Sequence, residues 1–155
     1  MIEYKTGNLF KSECQTLVNT VNCKGVMGKG LALQFRNIYP KMFAEYQLAC
    51  KKGEIQNGGD LWIWDNEDMF NHKKVLCFAT KEHWMYPSKL EWIESGLALF
   101  THKFEDGKYT YEKFGITSIA FPKLGCTNGK LNWEDVKKLM EKYLTNIDLK
   151  CEIYV

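Results

Sequence analysis

Asn19 and Asn22 stand three residues apart at the end of an apolar run, and Gly25, Gly28 and Gly30 follow within a span of six. Glycines let backbone N–H groups approach phosphate oxygens closely, and asparagines offer neutral donors and acceptors to sugar hydroxyls. A second segment of this kind, Pro122-Lys123-Leu124-Gly125-Cys126-Thr127-Asn128-Gly129-Lys130, follows another apolar run. Neither segment has the Walker A pattern or the dinucleotide-binding glycine fingerprint. Each alone also reads as an ordinary turn. Together they can form opposite walls of one cleft for a pyrophosphate. Residues three apart on a strand face opposite sides, so the ligand role falls to Asn22 and a structural one to Asn19, unless the chain is already turning. Both stay in the candidate set.

Lys81 follows a third apolar run, in Thr80-Lys81-Glu82-His83-Trp84. A partly desolvated amine has a lowered pKa and becomes a candidate nucleophile or electrostatic catalyst. By position alone, a solvated surface lysine is the commoner case. His83 is either an acid or base, or a local hydrogen-bonding group. Trp84 and Tyr86, in the same loop, read as rim packing or as surfaces for base stacking. The histidines His72, His83 and His102 share no metal-ligand spacing. No nucleophile elbow and no assignable Cys/His pair supports a hydrolase triad.

The elements that must position these groups alternate between strand and helix. Ile2–Lys5 and Thr16–Val21 read as strands. A helix carries Leu31, Leu33, Phe35 and Ile38, and Pro40 marks its end. A second helical pattern runs over 41–52 and closes at Gly53. Residues 61–64 and 75–79 are strands, expected to be neighbours. Ser88 with Glu91 predicts a capping box before a helix running from Leu90 to Phe100. A strand over 116–121, a helix capped by Asn132 and a closing strand over 151–155 complete the pattern. Such alternation predicts an α/β fold with a central mixed, largely parallel sheet covered on both faces, whose ligands bind at the carboxyl ends of strands.

The chain has 155 residues, 45% hydrophobic and 26% charged, as expected of one globular domain. No apolar run reaches the roughly 18 residues of a membrane span, and the N-terminus lacks the pattern of a signal peptide. Six cysteines without a CxxC read as reduced thiols, so a cytoplasmic setting is expected. The net charge of +2 is too small to argue for a nucleic acid by itself.

At the level of motifs the chain resembles the macrodomains, three-layer α/β/α proteins that bind ADP-ribose. Within them it is similar to the DarG-type branch of antitoxins, which remove ADP-ribose from DNA. The resemblance is carried by residues 6–9, 18–22, 25–35, 39–40, 80–84, 88–91 and 120–133, and it extends over nearly the whole chain. It implies a single macrodomain over 1–155, with Asn8 and Leu9 at the adenine. Macrodomains usually have Asp where this chain has Asn8, which can still accept through its amide oxygen. The resemblance further implies that Asn22, Met27, Gly28, Lys29 and Gly30 wrap the distal ribose and pyrophosphate. Pro122, Leu124, Gly125, Cys126, Thr127, Asn128 and Gly129 would form the second phosphate loop.

By the same resemblance Lys81 is the catalytic lysine, and His83 and Trp84 would contact the substrate base. A related eukaryotic hydrolase of protein-linked ADP-ribose has an acid where this chain has Gly129, a departure that favours the DNA branch. The implied function is release of ADP-ribose from ADP-ribosylated DNA bases, by a monomer without cofactor, metal or membrane. The implied partners are ADP-ribose, ADP-ribosylated single-stranded DNA and a DarT-like ADP-ribosyltransferase toxin. The alternatives are hydrolysis of protein-linked ADP-ribose or of ADP-ribose 1″-phosphate, and a non-catalytic ADP-ribose reader. DarG-type proteins carry a further C-terminal domain, whereas these residues end on the expected last strand.

Overall fold

The β-branched and apolar runs of the sequence become the middle of one sheet. In the computed structural model, which describes residues 1–68, Phe70 and 72–155, the strands are β1 (Ile2–Lys5), β2 (Thr16–Val21), β3 (Leu61–Asp65), β4 (Lys74–Ala79), β5 (Ser118–Phe121) and β6 (Lys150–Tyr154). Their order is β1-β6-β5-β2-β4-β3. Every pairing is parallel except β3 with β4, which is antiparallel. The expected neighbours β3 and β4 therefore do pair, as an edge hairpin on a parallel sheet. The helices are α1 (Gly30–Ile38), α2 (Pro40–Lys51), α3 (Leu90–Phe100), the short α4 (Thr110–Lys113) and α5 (Trp133–Leu144).

Strand alternation sorts the side chains into two cores. Leu17, Val21, Val75, Cys77 and Ala79 face α1 and α2, and pack with Phe35, Met42 and Tyr46. Val18, Leu76, Phe78, Ile119 and Phe121 face the opposite layer, with Ile93, Leu97, Val136 and Met140. Burial on both faces explains why these strands read as continuous apolar runs rather than alternating ones. The result is three layers, helix on sheet on helix, as the sequence predicts.

Two helix ends differ from expectation. Pro40 opens α2 at its first turn, where its missing N–H costs nothing, and Tyr39 is the residue shared by the two helices. At α3 the capping box is absent. Lys89 takes the N-cap position without a side-chain bond. Ser88 is instead committed to a neighbouring loop, where its N–H donates to the Gly129 carbonyl at 3.0 Å. Asn132 does cap α5 as predicted, with Oδ1 accepting from the Asp135 N–H at 3.3 Å. A one-turn 3-10 helix over Leu9–Lys11 and α4 carry too few residues to show a periodicity in sequence.

Candidate ligand cleft

Parallel pairing brings the carboxyl ends of β2, β4, β5 and β6 to one side of the sheet. There they open into a cleft of about 940 Å³. That volume suits an extended ligand of nucleotide size or larger. Both glycine-bearing loops line it, as do Asn8, Lys81, Trp84 and Tyr154.

The first loop is shaped by Asn22. Its Oδ1 accepts from the N–H of Lys24 at 2.9 Å and of Val26 at 3.4 Å, and its Nδ2 donates to the Val26 carbonyl at 2.7 Å. The buried Tyr46 hydroxyl donates to the Asn22 carbonyl at 2.6 Å, and Gln47 Nε2 to that of Gly25 at 3.0 Å. The turn is therefore anchored to α2 through its own backbone. Only one Nδ2 hydrogen of Asn22, which lines the cleft, is left for a ligand. After the turn, Gly30 starts α1 with φ at +60°, and Lys29 before it caps nothing with its side chain. The N–H groups of the first turn of α1 thus face the cleft with the positive end of the helix behind them.

The second loop closes against the first. A Cβ built on Gly30 would lie 2.7 Å from Asn128 Nδ2 and would displace that side chain, and the φ of +60° itself favours glycine where the two loops meet. At Gly129 the constraint is harder. A Cβ there would lie 2.4 Å from the Gly125 carbonyl oxygen and 2.2 Å from Ser88 Oγ. Position 129, where the resemblance implies an acid in a related hydrolase, is crowded in this chain by backbone and by Ser88.

Lys81 is positioned by extension of the β2–β4 pairing past the strand ends. The N–H groups of Thr80 and Lys81 donate to the Val21 carbonyl at 3.1 and 3.3 Å, and Cys23 N–H donates to the Glu82 carbonyl at 3.3 Å. Its Nζ donates to the Trp84 carbonyl at 3.4 Å. Burial lowers the pKa of this amine, and the positive charges of Lys29 and Lys130 lower it further. Lys29 and Lys81 line the cleft, no Asp or Glu among the described residues lines it, and Lys130 directly follows the second loop. Among the described residues, no ion pair includes any of these three amines.

At the far end, Asn8 Oδ1 accepts from the Phe10 N–H at 2.9 Å and so caps the 3-10 turn. Asn8 and the buried Leu9 line the cleft beside Tyr154. Tyr154 is an addition to the residues expected from sequence. Its hydroxyl lies 3.3 Å from Glu152 Oε1, which also accepts from Ser12 Oγ at 2.7 Å. Its signal in sequence was only a tyrosine at the end of the last strand. The β1–β6 pairing that sets it beside Gly7 and Asn8 is a long-range event.

Most of the expected residues are brought together: Asn8, Leu9, Asn22, Gly28, Lys29, Gly30, Lys81, Trp84, Pro122 and 125–129 all line the cleft. Four do not. Asn19 is fully buried on the α1/α2 face of β2, with Nδ2 3.6 Å from Met27 Sδ. Strand parity points it into the core, in line with its structural reading. Met27 packs in that same core, and Leu124 in the opposite one, so neither faces the ligand space. In both loops the apolar residue anchors the turn and the glycines face outwards. His83 sits at the rim, outside the lining, and its Nδ1 accepts from the Met85 N–H at 3.0 Å.

A three-layer fold, two amide-lined loops and a helix N-terminus at the strand ends together describe one class of ligand-binding domain. Residues 18–140 match the Macro domain family, and the chain belongs to that family. The macrodomain of Mycobacterium tuberculosis DarG superposes with a TM-score of 0.89 at 41% identity, covering 99% of this chain and 97% of that one. Thermosipho africanus DarTG, solved in complex with ADP-ribose, is 36% identical with a TM-score of 0.89, over 99% of this chain and 41% of that one. The DNA ADP-ribosyl glycohydrolase of M. tuberculosis is 42% identical over 99% of this chain, which spans 42% of that relative. The chain thus spans about two fifths of the length of the DNA ADP-ribosyl glycohydrolase relatives it matches. These similarities bear out the resemblance to DarG-type macrodomains read from the motifs. Among the described residues, no helix is long and apolar enough to cross a membrane.

Proposed function

We propose that this chain is an ADP-ribosyl glycohydrolase module, made up of residues 1–155, that releases ADP-ribose from ADP-ribosylated DNA bases. In this reading it acts as a cytoplasmic antitoxin, a monomer opposing a DarT-like ADP-ribosyltransferase. The observation that carries the proposal is the Lys81 amine, held at the mouth of a cleft whose second loop has no room for an acid at position 129. The names of the M. tuberculosis and Thermosipho relatives support it.

The two loops and the first turn of α1 hold the pyrophosphate, and the free Nδ2 hydrogen of Asn22 orients the distal ribose beside Lys81. The bond from C1″ to the base nitrogen breaks, and its electron pair leaves with the base, which takes a proton. Water supplies the hydroxyl that ends on C1″. The transition state has oxocarbenium character. Unprotonated, Lys81 can add to C1″ and be displaced by water in a second step. Protonated, it can supply the proton of the leaving base.

The test offers one protein preparation three substrates: an ADP-ribosylated oligonucleotide, a protein with carboxylate-linked ADP-ribose, and ADP-ribose 1″-phosphate. Chromatography of the products should find ADP-ribose released from the DNA. Turnover of either of the other two alone would overturn the reading.

The pH–rate profile tests the electrostatics. Lys130→Gln removes one of the two cations that lower the Lys81 pKa, so the charged form of Lys81 is favoured and its pKa rises. The limb of the profile governed by Lys81 should move to higher pH. A rising limb marks the unprotonated amine as the active form, and a falling limb the protonated one. An unmoved limb, or one displaced to lower pH, would disprove the influence of Lys130.

A further inference from the structure

Glu82 follows Lys81 in the chain, yet their side chains part. Lys81 lines the cleft and Glu82 does not. Successive residues of an extended segment point to opposite sides. On the side away from the cleft, Glu82 Oε2 accepts from the Gly58 N–H at 3.0 Å. Among the described residues, this half-buried carboxylate enters no ion pair. The charges that act on the Lys81 amine are those of Lys29 and Lys130.

The donor is itself fixed. In the turn over 56–60, Asp60 Oδ2 accepts from the N–H groups of Gln56 and Asn57, both at 2.8 Å. Gly59 N–H donates to the Ala79 carbonyl at 2.7 Å, and Ala79 N–H to the Asp60 carbonyl at 2.9 Å, so the turn is bound to the end of β4. It also lies against α3: a Cβ on Gly58 would fall 2.2 Å from Trp92 Cδ2, and the glycine permits that approach. The backbone of Glu82 is held from another direction, its carbonyl accepting from the Cys23 N–H of the first loop at 3.3 Å. Residue 82 therefore joins the Lys81 segment to the first loop and to the turn before β3. A bond from a backbone N–H to a carboxylate is charge-assisted and among the stronger of its kind. Released from it, a carboxylate one residue from an amine would be free to pair with that amine, drawing it from C1″ and favouring its charged form.

We propose that Glu82 is a positioning residue for the reaction: its hydrogen bond to Gly58 fixes the segment that presents the Lys81 amine and keeps the adjacent carboxylate away from that amine. The inference rests on the reading that Lys81 performs the chemistry. The site then needs from residue 82 an acceptor of the right reach, not a charge.

Three variants separate reach from charge. Glu82→Gln keeps an acceptor at the same reach without the charge, Glu82→Asp keeps the charge one methylene short, and Glu82→Ala has neither. Release of ADP-ribose from an ADP-ribosylated oligonucleotide gives kcat, KM and the pH–rate profile, calorimetry gives ADP-ribose affinity, and thermal melting reports folding. Glu82→Ala and Glu82→Asp should each lose about tenfold in kcat with ADP-ribose affinity unchanged. Glu82→Gln should recover kcat to within about threefold of wild type, with the limb governed by Lys81 at the wild-type pH. If Glu82→Ala does not fold, the Gln and Asp variants still decide. The reverse order, activity kept by Asp and lost by Gln, would make the charge the operative feature and overturn the proposal. A limb displaced to lower pH in Glu82→Gln would do the same, since it would show the carboxylate favouring the charged amine in wild type. Full activity of Glu82→Ala, or a parallel loss of kcat, ADP-ribose affinity and Tm in all three variants, would also overturn it. Each of these results leaves the glycohydrolase reading intact. Failure of wild type to release ADP-ribose from DNA would overturn that parent reading, and this proposal with it.

Discussion

Lys81→Ala is expected to lose about a thousandfold or more in the rate of ADP-ribose release from DNA, with little change in ADP-ribose affinity. The two effects separate because Lys81 is placed for chemistry rather than for holding the ligand. Its backbone is clamped to the end of β2 by the Val21 carbonyl, so removal of the side chain leaves the cleft wall in place. The phosphates would be held by the two loops and the first turn of α1, which the substitution does not touch. Removing one of three neighbouring amines also leaves a net attraction for an anionic ligand. Single-turnover release from an ADP-ribosylated oligonucleotide and calorimetry with ADP-ribose measure the two quantities. Lys81→Arg divides the chemistry further. Arginine keeps the charge but neither presents an unprotonated nitrogen nor gives up its proton, so a partly active variant points to charge alone and an inactive one to covalent attack or proton transfer. A Lys81→Ala variant retaining the wild-type rate would remove the lysine from the mechanism.

Gly129→Asp is expected to fail as a route to the chemistry of protein-linked substrates. The added Cβ would fall 2.4 Å from the Gly125 carbonyl oxygen and 2.2 Å from Ser88 Oγ. The carbonyl oxygen does not yield easily, and behind the rotatable hydroxyl lies Ser88 Cβ at 2.8 Å. Gly125 accepts from the Leu131 N–H at 3.0 Å, and Ser88 is bound to the Gly129 carbonyl. The loop must shift as a unit, which costs about 2 kcal/mol or more, in the range of forced overpacking. For a chain of this length that is a fall in Tm of roughly 4–8 °C. Because both ends of the loop line the cleft, ADP-ribose affinity should fall with it. Gly129→Ala carries the same Cβ without the charge and is expected to lose nearly as much stability. If Gly129→Ala melts like wild type and binds ADP-ribose normally, the steric account is wrong.

Much of the site could be read before the fold was known. Glycines spaced through a strand-to-helix turn have few uses other than close backbone approach, and both loops do line one cleft. The errors have a common cause. Met27 and Leu124 belong to segments that line the cleft but point away from it, as Asn19 does in line with its structural reading, because strand parity and loop anchoring decide side-chain direction one residue at a time. Tyr154 and Ser88 were not recognised because their roles depend on elements far apart in the chain. Tyr154 needs β6 beside β1, and Ser88 needs the start of α3 against the second loop.

Local chemistry was thus written in the chain itself: apolar runs for strands buried on both faces, glycine turns at their ends, and Asn132 as a helix cap. Those features depend on neighbours within a few residues, so sequence alone determined them. The tertiary structure decided which strand ends converge, that Lys81 lies beside Lys29 and Lys130, and that position 129 has no space for an acid. These outcomes depend on pairings across tens of residues, where a displacement of one residue turns a side chain from ligand to core.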